Sequence, residues 1–385
     1  LTHLDNYLQH FKRCEVKSDI RKQPRLDMPT THVCRYPVTP GSDVARKTYA
    51  LKCWMLEDST DPVYYLSMNV LAHILCGTQA SPLRKALIDS KLGEDCLADG
   101  FEEDILQTYF GIGLKGTDAD SVPDMERVIN ETLEKLVRDG LEPRVIEASL
   151  NTIEFSLREA NFGSYPKGLI FGLIMLNSWI YDADPLMHLR YEPTLAAIKE
   201  GIARGNYFEG LIQKHLLDNQ HQVTLTMVPD EQMEERERED QQTHLATLKA
   251  AMPPEDIQAI LKQCDDLEEA QLEPDTPEAL ATLPKLKVSS IDRQAEDYPL
   301  VIVQEGDETS PKVTWSEQPT NGIAYLKLLF DASGVEQDLF MYLPLFASAL
   351  IQSGTESRDF VEITQEIGIQ TGGLHAGYGC GGVWG

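Results

Sequence analysis

The sequence predicts an α+β fold built from a duplicated domain, mostly antiparallel sheet with helices packed on one face, and three observations carry that reading. The first is a repeat at one fixed offset. Asp61, Tyr65, Leu66, Ala72, Ile74, Gly77 and Thr78 recur as Asp338, Tyr342, Leu343, Ala349, Ile351, Gly354 and Thr355, with Val63 matched by Phe340 and Leu83 by Phe360. Self-similarity of this kind marks one structural unit used twice. The second is the order of patterns around each copy: an apolar strand-like run (TYALKCWML, GIAYLKLLF), a long helix, a short helix, then a glycine-bearing turn into another strand. That order is the signature of a mixed layer fold. The third is the stretch Glu231 to Pro284, which holds two helical patterns separated by Pro253-Pro254 and no plausible strand. Two helices broken by a double proline read as a long antiparallel hairpin, here a hinge between the copies.

Taken in order, residues 1–20 place Leu4, Tyr7, Leu8 and Phe11 on one helical face, as the last helix of a preceding domain would. Residues 21–46 are proline-rich and extended, the composition of a linker. A complete α+β domain is expected over 47–230. It opens with the strand TYALKCWML; Asp61-Pro62 starts a helix that Gly77 ends, and Ser81-Pro82 is an N-cap with proline at the first helical position. Strands around Asp95 to Phe101 and Leu106 to Gly116 form a hairpin, with Phe110, Ile112 and Leu114 on one face. Met125, Val128, Ile129, Leu133, Leu136 and Val137 mark a helix closed by Asp139-Gly140; another runs from Pro143 to Ala160, and further helices lead to the strand HQVTLTMV. The hairpin occupies 231–284. Its first half interleaves acids and bases, while Ile257, Ile260, Leu261 and Leu267 share one face of its second half and should supply most of its attachment. Residues 285–385 then read as the truncated start of the second copy, so the chain is expected to be a fragment of something longer.

Composition excludes several function classes. The chain has 385 residues and a formal charge of −28, with no basic stripe, which argues against nucleic acid. An acidic surface attracts basic peptides, although many soluble proteins are acidic without such a role. Seven cysteines without a CxxC pair read as reduced thiols, and a cytoplasmic location follows. No apolar run reaches membrane-spanning length and no secretory signal opens the chain, so no membrane partner is expected. A monomer is the expected state.

The chemistry-bearing residues form no constellation. Two helical histidines four apart with an adjacent glutamate would place two nitrogens and a base around one metal ion, but neither HExxH nor HxxEH occurs. Around His73 the positions that HxxEH needs are Cys76 and Gly77, and its neighbours Val70, Leu71, Ile74 and Leu75 make it a core residue. His188, His215, His221 and His244 are isolated, and His3, His10 and His32 lie in the terminal helix and linker. GTQASP lacks the GxSxG elbow, and TGGLHAGYGCGG lacks the Lys-Ser/Thr of a phosphate cradle. The pairs Glu102-Glu103 and Asp265-Asp266 read as solvated. REANFGSYPKGL (Arg158 to Leu169) reads as a tight connection between helices, with a peptide-contacting loop as the alternative. No catalytic, cofactor-binding or metal-ligating residue is therefore predicted.

The phrases SPLRKALIDSKLGED, FGIGLKG, REANFGSYPKGL and WIYDADPLMHL, followed by an acidic hairpin and YLKLLFD, resemble the presequence-protease branch of the pitrilysin or insulinase zinc metallopeptidases. The resemblance runs over nearly the whole chain. It implies four homologous metallopeptidase-type domains in two bowl-like halves joined by a helical hairpin, enclosing a chamber that degrades unfolded peptides. Zinc is then the cofactor of the full-length parent, held by an inverted motif on the first domain. This chain would supply the second domain, the hairpin and the start of the third. The family also uses an arginine and a tyrosine from its fourth domain; on the homologous segment here Arg84 corresponds to the arginine, but Glu94 stands where the tyrosine would be. No catalytic residue is carried over, and this fragment alone is expected to be inactive. The resemblance adds a mitochondrial or plastid matrix as the alternative location. It also leaves a second class of function open, a wholly non-catalytic relative such as the core subunits of respiratory complexes that share this fold.

Overall fold

Alternating burial along the strand Thr48–Asp58 shows why the sheet forms where it does: Ala50, Lys52, Trp54 and Leu56 are buried while the residues between them are only partly covered. A period of two puts successive side chains on opposite faces, so one face carries the core. The computed structural model describes residues 2–12, 14–16, 21–294, 298–303 and 313–379. The expected strand and glycine-rich turn at the chain end, with Cys380, and the ends of the runs YPLVIVQEG and KVTWSEQP fall partly outside the described residues.

The chain divides into two units, the first made of Leu1–Tyr36, Asp43–Pro229 and Ser333–Gly385, the second of Pro37–Ser42 and Asp230–Ala332. In the first, α1 (Thr2–Leu8) precedes β1 (Thr30–Pro37) and β2 (Thr48–Asp58). Then come α2 (Pro62–Cys76), α3 (Pro82–Ser90), β3 (Asp95–Glu102) and β4 (Gln107–Thr117). Helices α4 (Val122–Asp139), α5 (Pro143–Glu159), α6 (Lys167–Trp179), α7 (Tyr191–Ala203) and α8 (Tyr207–Ile212) lead through a π-helical turn, Gln213–Leu217, to β5 (Gln222–Asp230). The sheet order is β1-β5-β2-β4-β3, and β2 pairs antiparallel with both β4 and β5. The hairpin of β3 and β4 is the expected one, with Phe110, Ile112 and Leu114 buried. At Gly113 a Cβ would overlap the carbonyl oxygen of Ala50 on β2, so this crossing tolerates only glycine.

The helix ends follow from their capping residues. Asp61 accepts hydrogen bonds from the amides of Val63 and Tyr64 at 2.9 and 3.1 Å, fixing the start of α2. Ser81 precedes Pro82 as expected, but its hydroxyl turns back: it accepts from the Thr78 amide at 3.0 Å and donates to the His73 carbonyl at 3.2 Å. It thereby closes the end of α2 and does not cap α3. The apolar face of α4 packs Met125, Ile129 and Leu133 into the core beside Phe208 and Ile212 of α8.

Two readings of the chain ends change. Residues 21–46 contain the edge strand β1, which the sequence does not reveal because its side chains are nearly all exposed and carry no apolar alternation. On α1, Leu4, Tyr7 and Leu8 stay exposed, and the helix stops at Leu8.

The second unit holds α9 (Met233–Ala251), α10 (Pro254–Leu272), α11 (Pro277–Thr282) and the antiparallel pair β6 (Val301–Val303) and β7 (Val313–Trp315). The double proline separates α9 from α10 as expected. Neither helix has a buried residue, however, and Ile260, Leu261 and Leu267 remain exposed. The apolar stripe on α10 is therefore only partly covered.

The repeated segment keeps its helices and loses a strand. A 3-10 turn, Gln337–Tyr342, leads into α12 (Leu343–Leu350), and α13 (Phe360–Gln370) follows with a capping box formed by Asp359 and Glu362. The run GIAYLKLLF, expected as a strand, forms none; Leu326, Leu329 and Phe330 are strongly exposed. A strand is held by ladder bonds to a neighbour, and this run belongs to neither sheet. Helix α13 instead packs on α5. Arg144 meets Glu366 at 2.6 Å, and the Asn151 amide donates to the carbonyls of Gly368 and Thr371 at 2.7 and 3.0 Å. Gly372 lies so close to the ring of Phe155 that a Cβ there would overlap it.

Candidate functional site

Among the described residues no group of three or more His, Cys, Asp or Glu side chains could hold a metal ion. His73, on α2, places its Nδ1 3.0 Å from the Ser149 hydroxyl of α5. Burial holds its imidazole below the usual pKa, so it stays neutral and serves as a tie between two helices. His215, on the π-helical turn, lies against the Tyr64 ring with centroids 5.2 Å apart. Desolvation first, then Lys214 and Arg25, push its pKa down to about 4 against the pull of Glu57. Arg84 sits on α3 with a buried Nε that has no hydrogen-bond partner, and Glu94 lies 3.9 Å from Lys47. Cys76 and Cys96 are buried, and desolvation raises their thiols to about 12 and about 11, so neither is a thiolate at neutral pH.

Two cavities stand out among the described residues. The larger, about 600 Å³, lies between α5, α7 and α8. Its one lysine is already paired: Glu154 is bonded to Lys199 at 2.7 Å, and to Arg158 at 3.1 Å. The second, about 410 Å³, has chemistry left open, and it is walled by α2, α5, α6 and the segment leading into α7.

That second cavity is where the two most distinctive sequence phrases meet. In REANFGSYPKGL, Ala160 turns left-handed to end α5, the Asn161 side chain accepts the Gly163 amide at 3.1 Å, and Gly163 takes a φ of +62°. The connection is tight, as expected, and it delivers Phe162 to the cavity, edge-on to Phe171 with centroids 5.7 Å apart. In WIYDADPLMHL, the Asp184 side chain accepts the Leu186 amide at 2.9 Å and meets Arg190 at 3.0 Å, while the Ser178 hydroxyl donates to the Asp184 carbonyl at 3.0 Å. Those bonds set the turn that delivers His188, whose ring stacks on Tyr65 of α2 with centroids 4.0 Å apart.

Glu103 corrects the expectation of a solvated pair. It follows β3 directly and lines the cavity, accepting a hydrogen bond from the Asn69 amide, with the Tyr65 phenol beside it. Desolvation raises its pKa most, with Asp104 and Glu102 adding to the rise and the polar groups of Asn69 and Tyr65 opposing it. The Tyr65 phenol is pushed well above its ordinary value, mainly by burial and then by the Glu103 charge. Both ring nitrogens of His188 are buried; the Ser59 backbone lies near enough to favour its proton, but at neither nitrogen does the geometry reach a hydrogen bond. Burial dominates, so the imidazole is neutral at pH 7 and has a free acceptor nitrogen. Adjacent acids in a short strand-end turn carry no periodic signal, which is why sequence reasoning missed Glu103.

Comparison with known proteins fixes the class. Residues 3–153 match the family model described as Peptidase M16 inactive domain, and residues 227–381 match the model for the region associated with subfamily C of the same M16 peptidases. The chain belongs to the M16 peptidase family, and its first part is of the inactive-domain type. Within that family it is 37% identical over 377 residues to presequence protease 1, chloroplastic/mitochondrial, of Arabidopsis thaliana, an alignment covering 96% of this chain and 35% of the relative. Protein HypA of Clostridium perfringens is 32% identical over 373 residues, covering 97% of this chain and 38% of the relative. The chain thus spans little more than a third of the length of these curated relatives. A solved peptidase M16 inactive domain from Pseudomonas fluorescens aligns over 55% of this chain and 46% of its own at 14% identity, with a TM-score of 0.38.

Proposed function

We propose that this chain is the non-catalytic middle of a presequence-protease-like zinc metalloendopeptidase that degrades unfolded peptides inside a closed chamber. The observation that carries this reading is the 37% identity to a presequence protease along 96% of the chain, combined with the inactive-domain match over residues 3–153. Zinc, the general base and the residues that steady the reaction belong on this reading to other parts of the parent, and the present residues contribute wall and boundary. One feature suits that role: helices α9 and α10 have no fully buried residue, and a boundary that costs little apolar contact to shift suits closure around a substrate.

The printed names of several relatives favour a mitochondrial or plastid matrix over the cytoplasm, and localisation of the tagged full-length protein decides between them. The function is tested by incubating the full-length protein with unfolded peptides, with and without a zinc chelator. Hydrolysis that the chelator abolishes and added zinc restores is the expected result. No hydrolysis under either condition would overturn the peptidase reading and leave a structural relative of the same fold.

A further inference from the structure

The cavity behind Phe162 is built like a ligand site, and the peptidase reading makes no use of it. We propose that it binds a protonated amine carried on an aromatic or branched apolar body, with Glu103 as the counter-ion and the ring-lined wall as the receptor for the body.

Size and lining come first. At about 410 Å³ the cavity falls in the range of small-ligand sites, and its wall is mainly apolar and aromatic with a few convergent polar groups. The sign of the charge follows from Glu103. Its hydrogen-bond donor Asn69 and the neighbouring Tyr65 phenol are neutral, and no lysine or arginine pairs with it among the described residues. A carboxylate in that position is desolvated and faces the charges of Asp104 and Glu102. An arriving cation relieves both penalties, whereas an anion would add to them. With about four lone-pair sites a carboxylate has room for a further N–H beside the one it accepts from Asn69.

The same ligand class accounts for His188. A neutral imidazole with no partner at either nitrogen is costly in a buried wall, and an ammonium N–H supplies what its acceptor nitrogen lacks. The aromatic rings of Tyr65, Tyr191, Phe162 and Phe171 on the cavity wall suit the apolar body of such a ligand. A purely apolar occupant would leave the Glu103 carboxylate and the His188 nitrogens unanswered. The chain's net charge of −28 draws cations of any size toward it. The same chemistry can arrive as a free small amine or as the side chains of a peptide, and the experiment separates these sources.

Phenethylamine, 2-phenylethanol and the blocked peptide acetyl-Gly-Gly-Phe-Lys-Gly-Gly-amide are titrated into the 385-residue chain by calorimetry and ligand-observed NMR. Phenethylamine is expected to bind at least tenfold more tightly than the uncharged alcohol, and Glu103→Gln, which keeps an acceptor for Asn69, is expected to erase that preference. Binding of the peptide in competition with phenethylamine identifies a peptide source; binding of the free amine alone identifies a small molecule. Equal affinity for the alcohol, an affinity unchanged by Glu103→Gln, or no binding of either amine would overturn the proposal. Ser156→Phe provides a second variant that fills the cavity from α5 should Glu103→Gln fail to fold, and amine binding that survives it also overturns the proposal.

Discussion

Trp54 is the side chain on which the layering of the first unit depends most, and replacing it tests how that layer is held. It stands on the central strand β2 at 0% exposure, 5.9 Å from the ring centroid of Phe110, with Lys52 above its face at 5.2 Å. Its indole N–H donates to the Leu216 carbonyl on the π-helical turn at 2.9 Å. Trp54→Phe removes one ring of a fully buried side chain, worth about 1–2 kcal/mol when the site cannot collapse. It also removes a buried donor. The Leu216 carbonyl keeps a weaker contact with the Gln222 amide at 3.4 Å, so this loss is held to about 1 kcal/mol instead of the cost of a fully orphaned acceptor. The sum is about 2–3 kcal/mol. Urea unfolding followed by far-UV circular dichroism reads it as a midpoint lowered by about 1 M at unchanged slope. Trp179→Phe is the internal control, since Trp179 is 59% exposed and its replacement should stay within about 0.5 kcal/mol. If both variants unfold at the wild-type midpoint, the sheet and the π-helical turn are not coupled through Trp54, and the reasoning fails.

Gly113→Ala drives a methyl group into the Ala50 carbonyl on the paired strand, and neither backbone can retreat without breaking the ladder; a loss of about 2–3 kcal/mol is expected, and a wild-type thermal midpoint would show that the crossing is looser than described. Asp61→Ala removes two N-terminal hydrogen bonds of α2 and should cost about 1 kcal/mol by the same urea titration; no change would mean that Pro62 alone fixes the helix start. Acid should weaken the first unit in a defined window. His215 titrates near 6.5 when unfolded and at about 4 in the fold, so the unfolded chain binds more protons, and stability is complete above pH 6.5 and lost as pH falls toward 4. The ceiling is about 3 kcal/mol, reduced to about 1–2 by solvent screening. Urea midpoints at pH 7.5 and 5 should fall accordingly, and His215→Gln should flatten the slope; a slope that this variant leaves unchanged places the acid sensitivity elsewhere.

Where a pattern is local and periodic, the sequence discloses the structure. The Asp61-Pro62 helix start, the α4 stripe from Met125 to Val137 and the alternation of Phe110, Ile112 and Leu114 all appear where expected, because each depends on spacing along one element. Elements that depend on a partner are read less well. The edge strand β1 hides in a proline-rich stretch because it buries almost nothing, and GIAYLKLLF has strand composition yet forms no strand. The apolar face of α10 is visible in sequence, yet nothing there shows that Ile260, Leu261 and Leu267 stay exposed. The cavity was the least legible feature. Phe162 and His188 lie in phrases that stand out, but their convergence with Tyr65 and Glu103 is set by the tight turns at Gly163 and Asp184, and no linear spacing expresses it.

The central claim, that these residues form a non-catalytic part of an M16 peptidase, is tested most directly by metal analysis and peptide hydrolysis on this chain alone. After incubation with zinc and extensive dialysis, the account predicts no stoichiometric zinc and no cleavage of unfolded peptides, because no histidine pair has ligand spacing and a lone imidazole leaves the metal's other positions to water. One zinc per chain held through its histidines, with peptide cleavage that a chelator abolishes, would contradict it.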